Sequence, residues 1–421
     1  MACRLLFLCH IAFANAAFHQ THFAIGGGYD PVPSNGSYAA AKDAGLTFLH
    51  QTSDKASPQE MAALCVEHNL SCALELGSLK TIAPGPGVWG YDIRDEPRAK
   101  DFPTLAADVA SVRAVRPDAL SFINLLGYGG CENTTEGCAR FYGTNTYAEY
   151  LDAFVSTVKP DILSTDFYIK DSSPTNLDMW HLNLEYLHNK SVQAGVPFWN
   201  YVWMSTNGWG LSQGFYRWQL FTSVAYGSKG LLQWSLSPCR SRHDCSSKSR
   251  WSPYPSLFDK YGHTFKPVFD MVQAEHKPFA IFGPLLMQME LLTVVRTKSA
   301  RPAAVAGMPV VRISGPEGGP WLLGHFKDGS KTNRSVAQTG GQPHDTGAYG
   351  DCVMVVNDDP TMSRFASVAL VNASLVREVS ATDGALVPLT DDAPDVPGFQ
   401  LFFLEGAGRL LCWSSNTASL V

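Results

Sequence analysis

Val88-Trp89-Gly90-Tyr91-Asp92-Ile93-Arg94-Asp95-Glu96-Pro97 is the stretch on which the reading of this chain turns. Its first half is aromatic and apolar and suits a pleated, half-buried strand. It ends in two adjacent carboxylates and a proline. Strict alternation places Asp92, Arg94 and Glu96 on one face and Tyr91, Ile93 and Asp95 on the other. Pro97 cannot donate to a ladder, so the strand stops there. The run Phe102 to Val115 then has the pattern of a helix, with Pro103 suited to its first turn. A strand that hands over to a helix, with charge gathered at its C-terminal tip, is the unit on which barrel enzymes mount their chemistry. The bland reading is an acidic surface turn, or an ion pair of Arg94 with one carboxylate.

The same unit recurs on both sides. Upstream, strands are predicted over His22 to Tyr29, Leu46 to His50 and Cys72 to Leu76. Helices are predicted over Tyr38 to Ala44 and Pro58 to His68. Downstream, strands are predicted over Leu120 to Leu126, Ile162 to Ile169, Val196 to Met204 and Gly230 to Leu236. Helices follow them at Tyr147 to Val158, Leu177 to Gln193, Gln213 to Tyr226 and His263 to Ala274. Eight strands alternating with helices over roughly 250 residues have the size and rhythm of a (β/α)8 TIM barrel. The long loops, Gly77 to Gly87 and Ser237 to Ser256, come after strands, on the face where such barrels carry function. From about Pro284 helix signals fade. Short strands at Leu291 to Arg296, Val310 to Ile313, Trp321 to Phe326, Cys352 to Asn357, Ala366 to Asn372 and Gln400 to Leu404 read as a small antiparallel β-sandwich. The expected organisation is a signal segment at 1–17, a barrel at 18–283 and a sandwich at 284–421.

Composition sets limits on function. The chain has 421 residues, 45% of them hydrophobic and 17% charged, which suits a folded protein with a large core. A net charge of −6 gives no pull toward nucleic acid. Arg4, the apolar run Leu5 to Phe13 and the small-x-small site Ala14-Asn15-Ala16 read as a secretory signal, too short to span a bilayer. No later segment is expected to cross a membrane. Export implies an oxidising environment, in which Cys65 with Cys72, Cys131 with Cys138, Cys239 with Cys245 and Cys352 with Cys412 are candidate disulfides. Glycosylation sequons stand at Asn35, Asn69, Asn133, Asn189, Asn333 and Asn372. None of the cysteines has zinc-site spacing, and no metal or cofactor is expected.

Several segments together resemble one group of proteins. Gly90-Tyr91 through Asp95-Glu96-Pro97 is similar to the strand-4 motif of clan A-like barrel glycoside hydrolases, including relatives of the family 42 N-terminal domain. Phe122 to Leu126, Ser164 to Tyr168, Asn183-Leu184-Glu185 with Pro197 to Asn200, and Arg217-Trp218-Gln219 through Gly230 resemble their later elements in order. Met354 to Asn357 resembles part of their accessory sandwich. The resemblance implies an enzyme cleaving O-glycosidic bonds of an oligo- or polysaccharide, with Glu96 as general acid/base and Asp95 as its neighbour.

Glycosidic cleavage requires a proton on the leaving oxygen and stabilisation of an oxocarbenium-like centre, work that two carboxyl groups can do without a metal. Such enzymes usually carry a second glutamate at the tip of strand 7, and Val196 to Met204 contains no carboxylate. Three explanations stay open. Asp166, Glu75, Asp92 or Asp30 supplies the second carboxylate. Alternatively, a 2-acetamido group on the substrate acts in its place, as with other adjacent Asp-Glu pairs. Or the chain is a noncatalytic glycan-binding protein. Asp92, Arg94, Asn124, Tyr168, Asn200, Trp203 and Trp234 are candidate substrate-binding residues. Trp209 is a further possible platform, whereas Trp199 reads as core. His50, at the tip of strand 2, reads as structural. The basic loop Cys239 to Arg250 would rim the active face, where a solvated loop competes with anion binding.

Overall fold

The computed structural model describes residues 18–413, apart from 51–55, 84, 130, 132–133, 170–171, 205–211, 239–255, 298–307, 309, 315–317, 330–349, 371–375 and 391–397. The signal segment, Trp209, the Cys239–Cys245 pair with its basic loop, and the sequons at Asn133, Asn333 and Asn372 lie outside the described residues.

Eight parallel strands close into a barrel: β1 (Ala24–Gly27), β2 (Phe48–His50), β3 (Ser71–Glu75), β4 (Val88–Asp95), β5 (Leu120–Leu126), β6 (Leu163–Asp166), β7 (Phe198–Trp203) and β8 (Gly230–Trp234). The helices around it are α1 (Asn35–Asp43), α2 (Pro58–Glu67), α3 (Phe102–Val115), α4 (Thr135–Phe141), α5 (Tyr147–Val158), α6 (Pro174–Ala194), α7 (Gln213–Ala225) and α8 (Lys266–Gln288). Local chemistry starts them. Ser34, Ser57, Thr134, Thr146 and Ser212 each accept a backbone N–H from the first turn of the helix they cap. The prediction that helix fades at Pro284 fails, because α8 runs through Pro278 and Pro284. Phe279, Phe282, Leu285 and Leu286 are buried along that stretch, and their packing outweighs the lost backbone bonds.

Small and large side chains fill the barrel interior together: Ala24 and Ala73 sit among Phe48, Phe122, Ile162, Trp199 and Leu232. Trp199 is core, as expected, and its Nε1 donates to Gln20 Oε1 at 3.0 Å. A larger apolar cluster lies between the strands and the helices.

The remaining strands are β9 (Met289–Thr297), β10 (Val310–Ser314), β11 (Trp321–Asp328), β12 (Asp351–Asn357), β13 (Arg364–Leu370), β14 (Arg377–Val379), β15 (Leu386–Pro388), β16 (Phe399–Phe403) and β17 (Gly408–Trp413). They form an antiparallel sheet of six, β15-β14-β17-β12-β11-β9, and one of three, β10-β13-β16. One core joins the two sheets, with Trp321, Leu323, Val353, Val355 and Leu411 against Ala366, Val368, Leu401 and Phe403. The six-stranded sheet docks on α7. A Cβ at Gly324 of β11 would come within 2.3 Å of the Ala225 carbonyl oxygen at the end of α7, so only glycine permits this approach.

Cys352 and Cys412 are paired residues on β12 and β17 and form a disulfide; Cys131 and Cys138 form another. Cys65 and Cys72 do not, which corrects the expected pairing. Both are buried, and the Cys72 thiol donates instead to the Gly87 carbonyl at 3.0 Å. Burial, with Cys65 alongside, pushes the Cys72 thiol well above its usual pKa and leaves it unreactive.

Candidate active site

β4 does not alternate strictly. Asp92 pairs with Phe122 of β5, but Arg94 pairs with Ile123 and Asp95 with Asn124, so Ile93 is an extra residue. A bulge of this kind resets the parity of everything after it. Asp92 and Asp95 therefore share the inward face. Arg94 falls in register with Ile123, a residue of the outer core, and is exposed. The face assignment made from alternation is corrected accordingly, and Arg94 is separated from the carboxylates that it was expected to accompany.

Glu96 follows the strand at φ 45°, in the left-handed region. For a residue that is not glycine this costs of order 1–3 kcal/mol, and the proline after it narrows the choice further. The surroundings hold it there. Glu96 N–H donates to the Asn124 carbonyl at 2.8 Å, and Tyr150 Oη of α5 donates to the Pro97 carbonyl at 2.6 Å. The strained backbone aims an acidic side chain into the open mouth of the barrel.

Three carboxyl groups meet there. Asp95 accepts from Asn124 Nδ2 at 3.0 Å, and Asn124 Oδ1 accepts from Ser164 Oγ at 2.9 Å. Asn124 is buried and thus ties β4, β5 and β6 together beneath the mouth. Glu96, though exposed on its open side, is partly desolvated by the surrounding protein, which with the Asp95 charge raises its pKa; a hydrogen bond with Asp166 partly offsets this. Asp166 is pushed well above the ordinary range by burial, then by Glu96 and Asp95. Its Oδ1 is buried with no hydrogen-bond partner among the described residues. No lysine, arginine or histidine among the described residues forms an ion pair with Glu96 or Asp166. Carboxyl groups in such a setting keep their protons to higher pH than isolated ones.

Under this trio lies a second hydrogen-bonded group. His50 Nδ1 is 2.7 Å from Asp92 Oδ2, and its Nε2 meets the hydroxyl of Tyr201. With Asp92 accepting, Nδ1 carries a proton, and in that tautomer Nε2 accepts from the phenol. Tyr201 comes from β7 and His50 from β2, so the phenol reaches across the barrel interior. Burial, then the charges of Asp95, Asp92 and Asp166, raise the Tyr201 phenol well above its usual pKa. Tyr168 hangs over the same region. Its hydroxyl is buried without a partner among the described residues, and its ring meets Trp203 at 5.8 Å between centroids.

The other candidates divide. Trp234 stands at the tip of β8 with its ring 4.3 Å from that of Tyr29, and the peptide bond after it is cis. Glu75 is exposed at the tip of β3, beside Asp92 in register. Asp30 is fully buried near Tyr38 of α1. Asn200 points the other way, donating to Ser223 Oγ of α7 at 3.0 Å outside the barrel. Its place on β7 next to the core residue Trp199 explains this, since neighbouring strand residues face opposite sides. The same parity puts Tyr201 inside with Trp199, a signal present in the sequence that a search for carboxylates passed over. Among the described residues no group of three or more His, Cys, Asp or Glu side chains is arranged to hold a metal ion. No helix among them is long and apolar enough to cross a membrane.

No protein-family model matches the chain, and no curated protein matches it. Solved structures similar to it include a β-galactosidase from the Antarctic haloarchaeon Halorubrum lacusprofundi, 12% identical over 61% of this chain and 58% of that one, with a TM-score of 0.45. The endo-β-1,4-mannanase of Thermotoga petrophila is 10% identical over 88% of this chain and 97% of that one, at 0.45. The α-L-arabinofuranosidase of Thermotoga maritima is 10% identical over 94% and 96%, at 0.44. The barrel's topology is read from its own strand pairing, and its chemistry from its own residues.

Proposed function

We propose that the protein is a secreted glycoside hydrolase that cleaves O-glycosidic bonds of an oligo- or polysaccharide, with Glu96 as general acid/base. The observation that carries this is the gathering of three carboxyl groups at the C-terminal mouth of a barrel, Asp95 and Glu96 at the end of β4 and Asp166 at the end of β6, two of them with raised pKa. A glycosidase needs a carboxyl that still holds a proton near neutral pH, and burial next to other carboxylates produces one. Glu96, at the strand tip and open to the mouth, delivers that proton to the leaving oxygen. Asp166, with its Oδ1 buried beside Glu96 and Asp95, helps to keep that proton on the group. The neutral Tyr168 hydroxyl and the Trp203 and Trp234 rings are suited to hydroxyls and apolar faces of a sugar.

A second reading, glycan binding without hydrolysis, is favoured by the absence of any carboxylate on β7, whose sequence is Phe198-Trp199-Asn200-Tyr201-Val202-Trp203. Hydrolysis of a panel of aryl glycosides and natural polysaccharides, including N-acetylhexosaminides, by the wild type and Glu96→Gln separates the two. Turnover that collapses in the variant supports the hydrolase. Glycan binding without turnover, unchanged in the variant, supports the binding protein.

A further inference from the structure

The β7 strand lacks a carboxylate, yet it is not without a group that can attack. We propose that Tyr201 is the nucleophile of this site, with His50 as the base that takes its proton and Asp92 as the residue that orients His50. This rests on the glycosidase reading above and deepens it.

The arrangement is that of a nucleophile, a base and an orienting acid in one hydrogen-bonded line: Tyr201 Oη to His50 Nε2, His50 Nδ1 to Asp92 Oδ2. Each member comes from a different strand, β7, β2 and β4, and all face the barrel interior. Tyr201 shares the inner cluster with Phe48, Phe122, Trp199 and Leu232, where apolar volume alone would fill the space. A phenol, an imidazole and a carboxylate buried together are instead costly unless fully satisfied, and they lie against the acidic trio.

Two of the carboxylates at the mouth are already engaged, Asp95 by Asn124 and Asp92 by His50. A neutral nucleophile is also the better choice here. The surrounding carboxylates favour positive charge at the anomeric carbon, and a fourth anion among them would be repelled. Asp92 Oδ2, bonded to His50 Nδ1, faces the ring that takes the phenol proton.

The step balances. Tyr201 Oη forms a bond to the anomeric carbon as the bond from that carbon to the leaving oxygen breaks. The phenol proton passes to His50 Nε2, and Glu96 gives its proton to the leaving oxygen. In the second half, a water gives a proton to the Glu96 carboxylate and bonds to the anomeric carbon. The aryl ether to Tyr201 breaks, and the phenolate takes its proton back from His50. Two displacements retain the anomeric configuration.

The test uses the full chain and dinitrophenyl deoxyfluoro-glycosides of galactose, glucose, xylose and fucose, whose fluorine slows the second half-reaction. The sugars that the wild type hydrolyses in unfluorinated form are the ones used. The expected result is a gain of one glycosyl mass that peptide mapping places on Tyr201, product of retained configuration, and a loss of turnover of at least about 10³-fold in Tyr201→Phe. Tyr201→Phe keeps the ring, and its circular dichroism and melting temperature report whether the barrel is intact. His50→Gln is expected to label more slowly than the wild type. A glycosyl adduct on Asp166, Asp95 or any other side chain overturns the assignment, as does inverted product, or a folded Tyr201→Phe within tenfold of wild-type turnover. Each of these leaves the glycosidase reading standing. Absence of turnover on every unfluorinated glycoside and polysaccharide overturns that reading, and the nucleophile with it.

Discussion

Two aspartates, half-buried Asp166 at the barrel mouth and buried Asp358 where the barrel meets the sandwich, have opposite surroundings. Asp358 follows β12 and is fully buried. Its Oδ1 accepts from His181 Nε2 at 2.9 Å and from Trp218 Nε1 at 2.8 Å, and its Oδ2 accepts from Arg296 Nε at 2.6 Å. Burial alone would raise its pKa; His181 and Arg296 more than offset that and hold it below the ordinary range. Asp166 has carboxylates for neighbours and a buried oxygen without a partner among the described residues, and its pKa moves up. One side chain, used to hold two units together, is given three donors. The other is left short of donors, the pattern expected of a group that a reaction uses.

If that contrast is right, the largest effect belongs to the mouth. Glu96→Gln keeps the shape and removes the proton donor, so turnover on whichever glycoside the wild type cleaves is expected to fall by about 10²–10⁴-fold. Its melting temperature should stay close to that of the wild type. A matching loss of stability would place Glu96 with Asp358, among the structural residues.

Next comes the domain junction. Asp358→Asn removes the anion that His181 and Arg296 share in a dry site, while Arg296 keeps Asp178 on its other nitrogen, so the expected cost is at or below the low end of the range for a broken buried pair, about 3–5 kcal/mol. Urea unfolding followed by tryptophan fluorescence measures this. Turnover at temperatures below the transition should be unchanged, because Asp358 touches nothing at the mouth.

How far the sequence revealed this contrast depends on which signal each residue carries. The barrel was legible because strand and helix periods alternate plainly, and the place of Glu96 at a strand tip because a proline follows it. The β12–β17 disulfide was legible from Cys352 and Cys412 alone. The bulge at Ile93 was not, since an inserted residue leaves no mark on composition; it alone moved Asp95 inward and separated Arg94 from the carboxylates. His50 looked structural because its partners, Asp92 and Tyr201, lie 42 and 151 residues away. Asp358 carried no signal at all: its three donors come from α6, α7 and β9, which only the docked sandwich brings together.

A smaller effect, of the opposite sign, is expected when Asp166 is neutralised. Asp166→Asn keeps the volume and removes a carboxylate that folding forces against Glu96 and Asp95. Stability at neutral pH should rise by about 0.5–2 kcal/mol while turnover falls, the usual exchange at a site held in an unfavourable state. The pH dependence fixes the sign. Asp166 has a folded pKa above its unfolded value of about 3.9, so the folded chain binds a proton that the unfolded chain has lost, and wild-type stability declines as pH rises through that window. The gain in Asp166→Asn should therefore appear above about pH 4 and grow until the folded pKa is passed. Asp358, with a depressed folded pKa, does the reverse: its contribution is fully present above about pH 4 and is lost as pH falls through the folded value. Urea midpoints of both variants and the wild type across that range would show the two differences running in opposite directions.

The smallest effect is a shift in a pH profile rather than a loss. The Asp95 charge helps to raise the Glu96 pKa. Asp95→Asn removes that charge and keeps an amide for Asn124 to meet, so Glu96 gives up its proton more easily. The alkaline limb of kcat/KM, which falls as the general acid ionises, should move to lower pH in this variant. The acid limb reports whichever group must be deprotonated and has no reason to follow in step. An alkaline limb that stays in place would mean that Glu96 is not the acid whose titration limits the reaction. Asp166, the other raised carboxyl of the pair, would then hold the working proton, and the two residues at the mouth would exchange roles while Asp358 kept its own.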